Sequence, residues 1–182
     1  METSPKEDRK KETLFKEGVM KELLKHGPLG QATGAYIHQR KVQIKFNQQK
    51  HSGAAWTLAG NIRLNLKFYS VETYPGNPGM LSLIVHEVHH LRQGFLTALS
   101  VYGELDAWQV GFRFYRDLTG SQFHPSLQEL LSLPLGFSRM VLKQAAGLMK
   151  TYSPGYRIDL LPLYPLPREI AWWLTQKEPS TS

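Results

Sequence analysis

One region of the sequence alternates between apolar and polar residues, and it limits the possible folds more than any other feature. Residues 42–46 and 62–66 each place apolar side chains at every second position, as a half-buried strand does. A further strand is predicted around Trp56 and Leu58, with Gly60-Asn61 as a tight turn before the last strand. Elsewhere in the sequence, apolar residues recur at the spacing of an amphipathic helix. The sequence therefore predicts an α+β fold with one small antiparallel sheet and several helices.

Helices are predicted on both sides of this region. Gly27-Pro28 ends the apolar pattern of the first helix, and a Gly-rich stretch to Gly34 follows it. Asn77 is expected to cap the second helix, with Pro78 at its first position. A capping box of Ser126 and Glu129 predicts a later one. The predicted helices cover residues 12–26, 78–94, 101–118, about 126 onward, 137–152 and 167 onward.

We predict one domain over residues 11–176, between a flexible charged tail at 1–10 and a flexible tail at 177–182. No run approaches the roughly 18 apolar residues of a membrane-spanning helix, and the charged N-terminus does not resemble a secretory signal. Together with the absence of cysteine, these features predict a cytoplasmic location. The pattern gives no indication of oligomeric state.

The composition excludes several kinds of site. The 182 residues include no cysteine, so any metal must bind to His and carboxylate side chains. A formal net charge of +7 makes nucleic acid a possible partner. However, the Lys and Arg residues of the first 25 positions are mixed with Glu and Asp, as on a solvated helix face. No phosphate loop, zinc finger or aromatic RNA-binding motif is present, so nucleic acid is not the favoured partner.

The segment His86-Glu87-Val88-His89-His90 matches the pattern HExxH. Residues four apart share one face of a helix, so the imidazoles of His86 and His90 can bind one metal ion. Glu87 lies about 100° around the helix, where it can act as general base on a zinc-bound water. A chance match is the alternative, but two histidines on so apolar a helix need a partner. We predict one zinc ion here and interpret His89 as a supporting or surface histidine.

A catalytic zinc ion needs a third protein ligand, and two carboxylates lie close together downstream. Glu104 shares a helix face with Ala107 and Gly111, whose small size would let this helix approach the first one closely. Asp106 shares its face with polar residues and is interpreted as solvated. Glu104 is therefore the expected ligand. Asp106 and, further along the chain, His124 remain alternatives.

These elements together resemble the gluzincin branch of the zincin metallopeptidases, in which HExxH on one helix is followed by ExxA or ExxD on the next. Here the second element is Glu104-Leu105-Asp106-Ala107, and the resemblance covers about residues 40–118. It implies a zincin-like minimal metallopeptidase domain whose active helix carries HExxH. It also implies peptide or protein substrates that pair with a sheet edge around Trp56 to Asn65.

Three functions remain open from the sequence. The favoured one is a zinc-dependent peptidase with Glu87 as general base. A catalytically inactive metal-binding or interaction domain is less favoured, because a structural zinc site usually has four protein ligands and no use for Glu87. A basic nucleic-acid-associated protein is the third. A peptidase also needs a donor to its oxyanion, and the sequence does not choose among Tyr36, Tyr74, Tyr102 and His124.

Overall fold

The computed structural model describes residues 5–50 and 52–177, and within them the fold is α+β, as predicted. Of the predicted tails at 1–10 and 177–182, residues 1–4 and 178–182 lie outside the described residues. No helix in the described part is long and apolar enough to cross a membrane. In chain order the elements are α1 Pro5–Leu23, α2 Gly27–Gln39, β1 Ile44–Asn47, β2 Ala54–Trp56, β3 Ile62–Asn65, α3 Pro78–Gln93, α4 Phe95–Ala98, α5 Val101–Thr119, α6 Pro125–Ser132, α7 Arg139–Tyr152, a 3-10 helix Ile158–Leu160 and α8 Leu166–Thr175.

Contacts divide the chain into two compact units, with boundaries inside α3, inside α5 and just after α5. The first unit extends to Val88, takes in Phe114–Gly120 and contains the sheet. The second comprises His89–Arg113 and the residues from Ser121 onward. Helix α3 is continuous between Val88 and His89. The spacing of two side chains on α3 is therefore set by helix geometry alone. The core of the second unit is built from Val101, Leu105, Trp108, Leu127, Leu130, Leu142, Ala145, Met149, Ile158 and Tyr164.

The N-terminal part of the chain is more helical than predicted. Helix α1 begins at Pro5, so it includes residues that the sequence assigned to a tail. Helix α2 occupies the stretch that was predicted to be an irregular Gly-rich segment. Pro28 fits in the first turn of α2, because a backbone N–H at that position has no acceptor within the helix. A Cβ on the buried Gly30 would lie 2.4 Å from the carbonyl oxygen of Leu23. This glycine is thus required by close packing and does not mark a loop.

The sheet is mixed, and the predicted antiparallel arrangement is wrong for one of its two pairings. The strand order is β1-β3-β2. β2 and β3 form the predicted antiparallel hairpin, with Gly60 at a φ of 75°, whereas β1 pairs with β3 in parallel. Residues 48–53 must therefore cross from one edge of the sheet to the other. β3 is central, so its residues do not form the predicted substrate edge, and β2 is the edge strand on that side.

The buried side chain of Asn65 holds the crossing segment in place. Its amide nitrogen donates to the carbonyl oxygens of Gln49 and Ser52, at 3.0 and 2.7 Å. Its oxygen accepts from the backbone N–H of Gln49 and Lys67, at 3.3 and 3.0 Å. One amide thereby satisfies backbone groups that the crossing segment cannot pair within the sheet.

Helix α3 begins as predicted. Pro78 is its first residue, and Oδ1 of Asn77 accepts from the backbone N–H of Met80 at 3.0 Å. The helix ends before Gly94, whose φ is 80°. Phe95 lies beyond this break in α4 and is 49% exposed. The buried stripe consists of Leu81, Ile84, Val85 and Val88.

Candidate metal centre

Helix α3 carries three of the four predicted site residues. His86 and His90 lie one turn apart, with Glu87 next to the first. Glu87 and His90 are buried, whereas His86 is partly exposed. One imidazole is therefore accessible from outside, while the other is enclosed by protein.

The fourth residue, Glu104, lies in the first turn of α5, and local hydrogen bonds fix that turn. Oγ of Ser100 caps the helix by accepting from the N–H of Gly103 at 3.0 Å, and the Ser100 carbonyl accepts from the N–H of Glu104 at the same distance. A Cβ on Gly103 would lie 2.1 Å from the carbonyl oxygen of Thr97. Only glycine permits this approach, and the close contact holds the helix start against α4.

The remaining N–H groups of this turn are bound by a distant part of the second unit. The N–H of Val101 donates to the carbonyl of Pro162 at 2.9 Å, and that of Tyr102 donates to Leu163 at 3.1 Å. Three N–H groups that precede the first intrahelical bond, those of Val101, Tyr102 and Gly103, therefore have partners here. The first turn of α5 is helical, and Glu104 and Asp106 lie about 200° apart around the helix.

The structure brings the three predicted metal ligands together. The ligand atoms of His86, His90 and Glu104 all lie within 4.8 Å of one another. Nε2 of His90 is 3.4 Å from Oε2 of Glu104. This is long for a charge-assisted hydrogen bond, which is about 2.7–2.9 Å. It matches the roughly 3.3–3.4 Å between two atoms bound tetrahedrally to one zinc ion at about 2.0–2.1 Å.

The chemistry of these donors also fits zinc. Two imidazole nitrogens and one carboxylate oxygen are the ligands of one class of catalytic zinc site, in which the fourth position stays open. In the described residues the cluster consists of these three side chains. The arrangement thus fits a zinc ion that keeps a position for water or substrate.

The carboxylate of Glu87 is held at the edge of the sheet. The backbone N–H of Trp56 donates to Oε2 of Glu87 at 2.8 Å. The next N–H, that of Thr57, donates to the carbonyl of Asn61 across the hairpin. Because successive N–H groups of a strand point in opposite directions, the N–H of Trp56 points away from β3. Glu87 therefore lies beside the outward edge of β2 with a fixed carboxylate orientation.

Asp106 lies outside the cluster, and its predicted place on a solvated face is wrong. Its Oδ2 accepts from Nε2 of His89 at 2.6 Å and from Nε2 of Gln93 at 2.8 Å. Burial raises the pKa of Asp106, but the hydrogen bonds from His89 and Gln93 outweigh this and bring the pKa below its usual value. Gln109, on the same stripe of α5, is buried and donates to the carbonyl of Leu133 at 2.8 Å. This part of α5 therefore packs against protein.

The other candidates have separate environments. His124 is the exposed cap of α6, and its Nδ1 lies 2.9 Å from Oγ of Ser126. The helix thus begins earlier than the predicted capping box. Tyr102 stacks on Phe137, with ring centres 4.7 Å apart, and burial raises its pKa. Tyr74 is mostly exposed. These environments do not select one of the candidate oxyanion donors.

Two contacts of the site were missed by motif reasoning. Gln93 lies three residues after His90, and its Oε1 is 3.0 Å from Nδ1 of that histidine. The spacing of one helical turn was a usable signal for it. The contact from Trp56 to Glu87 is made by a backbone N–H, so the identity of residue 56 gave no signal for it.

None of the known protein families, curated proteins and solved structures with which the chain was compared matches it.

Proposed function

We propose that this protein is a zinc-dependent hydrolase in which His86, His90 and Glu104 bind the ion and Glu87 is the general base. The observation that carries the proposal is the 3.4 Å separation of the His90 and Glu104 ligand atoms, with the nitrogen of His86 within 4.8 Å of both. A structural zinc site would normally add a fourth protein ligand. Glu87 lies next to the first ligand and accepts from the N–H of Trp56, which supports a role in chemistry rather than in coordination.

The proposed roles of the ion and of Glu87 in hydrolysis follow from these positions. Bound zinc would supply a positive charge that lowers the pKa of a water molecule toward 7. Glu87 takes the proton from the attacking water on a carboxylate oxygen and later delivers it to the leaving group. The hydrogen bond from the N–H of Trp56 fixes the orientation of this buried carboxylate.

We propose peptide bonds as the substrate class. The support is the position of Glu87 beside the edge strand β2, since extended peptides bind to sheet edges through main-chain hydrogen bonds. The resemblance of His86–His90 and Glu104–Ala107 to the gluzincin motifs points the same way. A substrate strand would meet the general base where β2 ends.

The ligand assignment is tested by the metal content of purified protein. We expect one zinc ion per chain by elemental analysis, and its loss in His86→Ala and in His90→Ala, because two donors are too few for a tight site. His124→Ala, which removes an exposed histidine outside the cluster, is the matched control and should keep the ion. Full zinc content in both ligand variants would show that the assignment is wrong.

The role of Glu87 is tested by Glu87→Gln. The amide keeps the shape of the side chain but cannot take a proton, so zinc should remain while hydrolysis of an unfolded protein substrate falls about a hundredfold or more. Glu72→Gln alters an exposed glutamate and should leave the rate unchanged. Equal turnover in Glu87→Gln and the parent protein would remove Glu87 from the mechanism.

A further inference from the structure

The side-chain amide of Gln93 connects the end of α3 to the start of α5. Its Oε1 lies 3.0 Å from Nδ1 of His90. Its Nε2 lies 3.0 Å from the carbonyl oxygen of Gly103 and 2.8 Å from Oδ2 of Asp106. Every polar atom of the amide thus faces a residue next to the proposed ligands or a ligand itself.

The chemistry of these neighbours fixes which way the amide points. A backbone carbonyl and an ionised carboxylate can only accept hydrogen bonds, so both amide hydrogens of Gln93 must face Gly103 and Asp106. The oxygen of Gln93 is then left for His90, and an oxygen can only accept. Nδ1 of His90 must therefore carry the hydrogen, which leaves Nε2 with its lone pair. Nε2 is the atom that lies 3.4 Å from Oε2 of Glu104.

We propose that Gln93 is a positioning residue that holds His90 in the Nδ1-protonated form, with Nε2 prepared to bind the metal ion. This inference rests on the zinc site proposed above. Asp106 acts one step further out: it anchors the amide of Gln93, and it is itself held by His89 at 2.6 Å. Groups that orient a metal-binding histidine typically change metal affinity by about 10–100-fold when they are removed.

Two variants of Gln93 separate orientation of the ring from simple packing. Gln93→Met keeps the size of the side chain but removes both the acceptor and the donors. Gln93→Glu keeps an acceptor for His90 but loses the hydrogen bonds that Gln93 donates to Gly103 and Asp106. Gln109→Met is the matched control, because Gln109 is a buried glutamine of α5 that bonds to Leu133 and touches none of the proposed ligands. Zinc affinity is measured by competition with a chelator, and the tautomer by ¹⁵N NMR of the ring nitrogens in zinc-free protein.

We expect zinc-free parent protein to show Nδ1–H at His90, and Gln93→Met to lose this preference and about 10–100-fold in zinc affinity. Gln93→Glu should keep the tautomer, because its carboxylate still accepts from Nδ1–H, but should lose affinity about as much as Gln93→Met, because nothing anchors it to Asp106. Gln109→Met should match the parent in both. An Nε2–H ring in the parent would overturn the proposal, even if Gln93→Met failed to fold. Equal losses in Gln93→Met and Gln109→Met would also overturn it. If the parent bound no zinc, the proposed function would fail, while the tautomer would still test Gln93.

Discussion

Glu104 and Asp106 are separated by two positions on α5, and their contacts assign them different tasks. Glu104 places Oε2 3.4 Å from Nε2 of His90. Asp106 instead binds His89 and Gln93. A rotation of about 200° separates two such positions on a helix, so a regular α5 can present only one of them to the ion.

We therefore predict a graded response of zinc affinity. Glu104→Ala removes a ligand and should abolish tight binding. Asp106→Ala releases the amide of Gln93 and should weaken binding by about 10–100-fold, a larger effect than a solvated aspartate would have. Asp117→Ala, at an exposed position of the same helix, should have no effect. A competitive chelator titration measures all three, and a larger loss in Asp106→Ala than in Glu104→Ala would transfer the ligand role to Asp106.

Sequence reasoning predicted the clustered ligands because helical spacing alone brings His86 and His90 to one face. The choice of Glu104 followed from its small neighbours, and the structure places it with the histidines. Asp106 was misjudged because hydrophobic patterning treats every polar residue as solvated, while this carboxylate is enclosed by partners from another helix. Polar contacts between helices depend on packing that the pattern of one helix does not contain.

At the scale of elements, the sheet shows what periodicity can and cannot report. Alternation located all three strands within a few residues, and Gly60 marked the hairpin between β2 and β3. Alternation is the same for either strand direction, so the parallel pairing of β1 with β3 was not predictable from it. That pairing depends on Asn65, whose sequence position resembles any polar residue of a half-buried strand.

We predict that Asn65→Ala destabilises the fold by about 2–3 kcal/mol, because it leaves several part-buried backbone groups of the crossing segment without their partners. Asn61→Ala is the control, since Asn61 Oδ1 accepts a single hydrogen bond from the N–H of Gln43 in a more exposed position. Its cost should stay near 0.5–1 kcal/mol, about that of one ordinary hydrogen bond. Urea unfolding measures both, and equal losses would contradict the role given to Asn65.

At the scale of the whole molecule, the net charge of the chain is +7, and α1 carries residues of both signs. Just after this helix, Nζ of Lys25 lies 2.7 Å from Oε1 of Glu22. The three proposed ligands lie at positions 86, 90 and 104 of the sequence, and their ligand atoms come within 4.8 Å of one another in the folded chain. Binding of an ion to the folded form alone would therefore stabilise the native chain.

We predict a metal-dependent melting temperature. Free zinc at about 100 times its dissociation constant adds about 2.7 kcal/mol to the native state, which corresponds to a rise of about 5–10 °C for a chain of this size. Thermal unfolding with and without a chelator measures the shift. His90→Ala should show no shift, whereas His124→Ala should match the parent. A shift of the same size in His90→Ala would place the bound ion elsewhere.

The contacts of Val101 and Tyr102 with Pro162 and Leu163 affect when, during synthesis of the chain, the proposed site can form. All three proposed ligands have been synthesised once residue 104 is made, but the carbonyls that fix the first turn of α5 are translated much later. Until then the helix that carries Glu104 starts with two N–H groups that lack their native acceptors. Capture of the proposed ion is therefore expected only after Leu163 has been made, and a nascent chain stalled before Pro162 should be poor at retaining it.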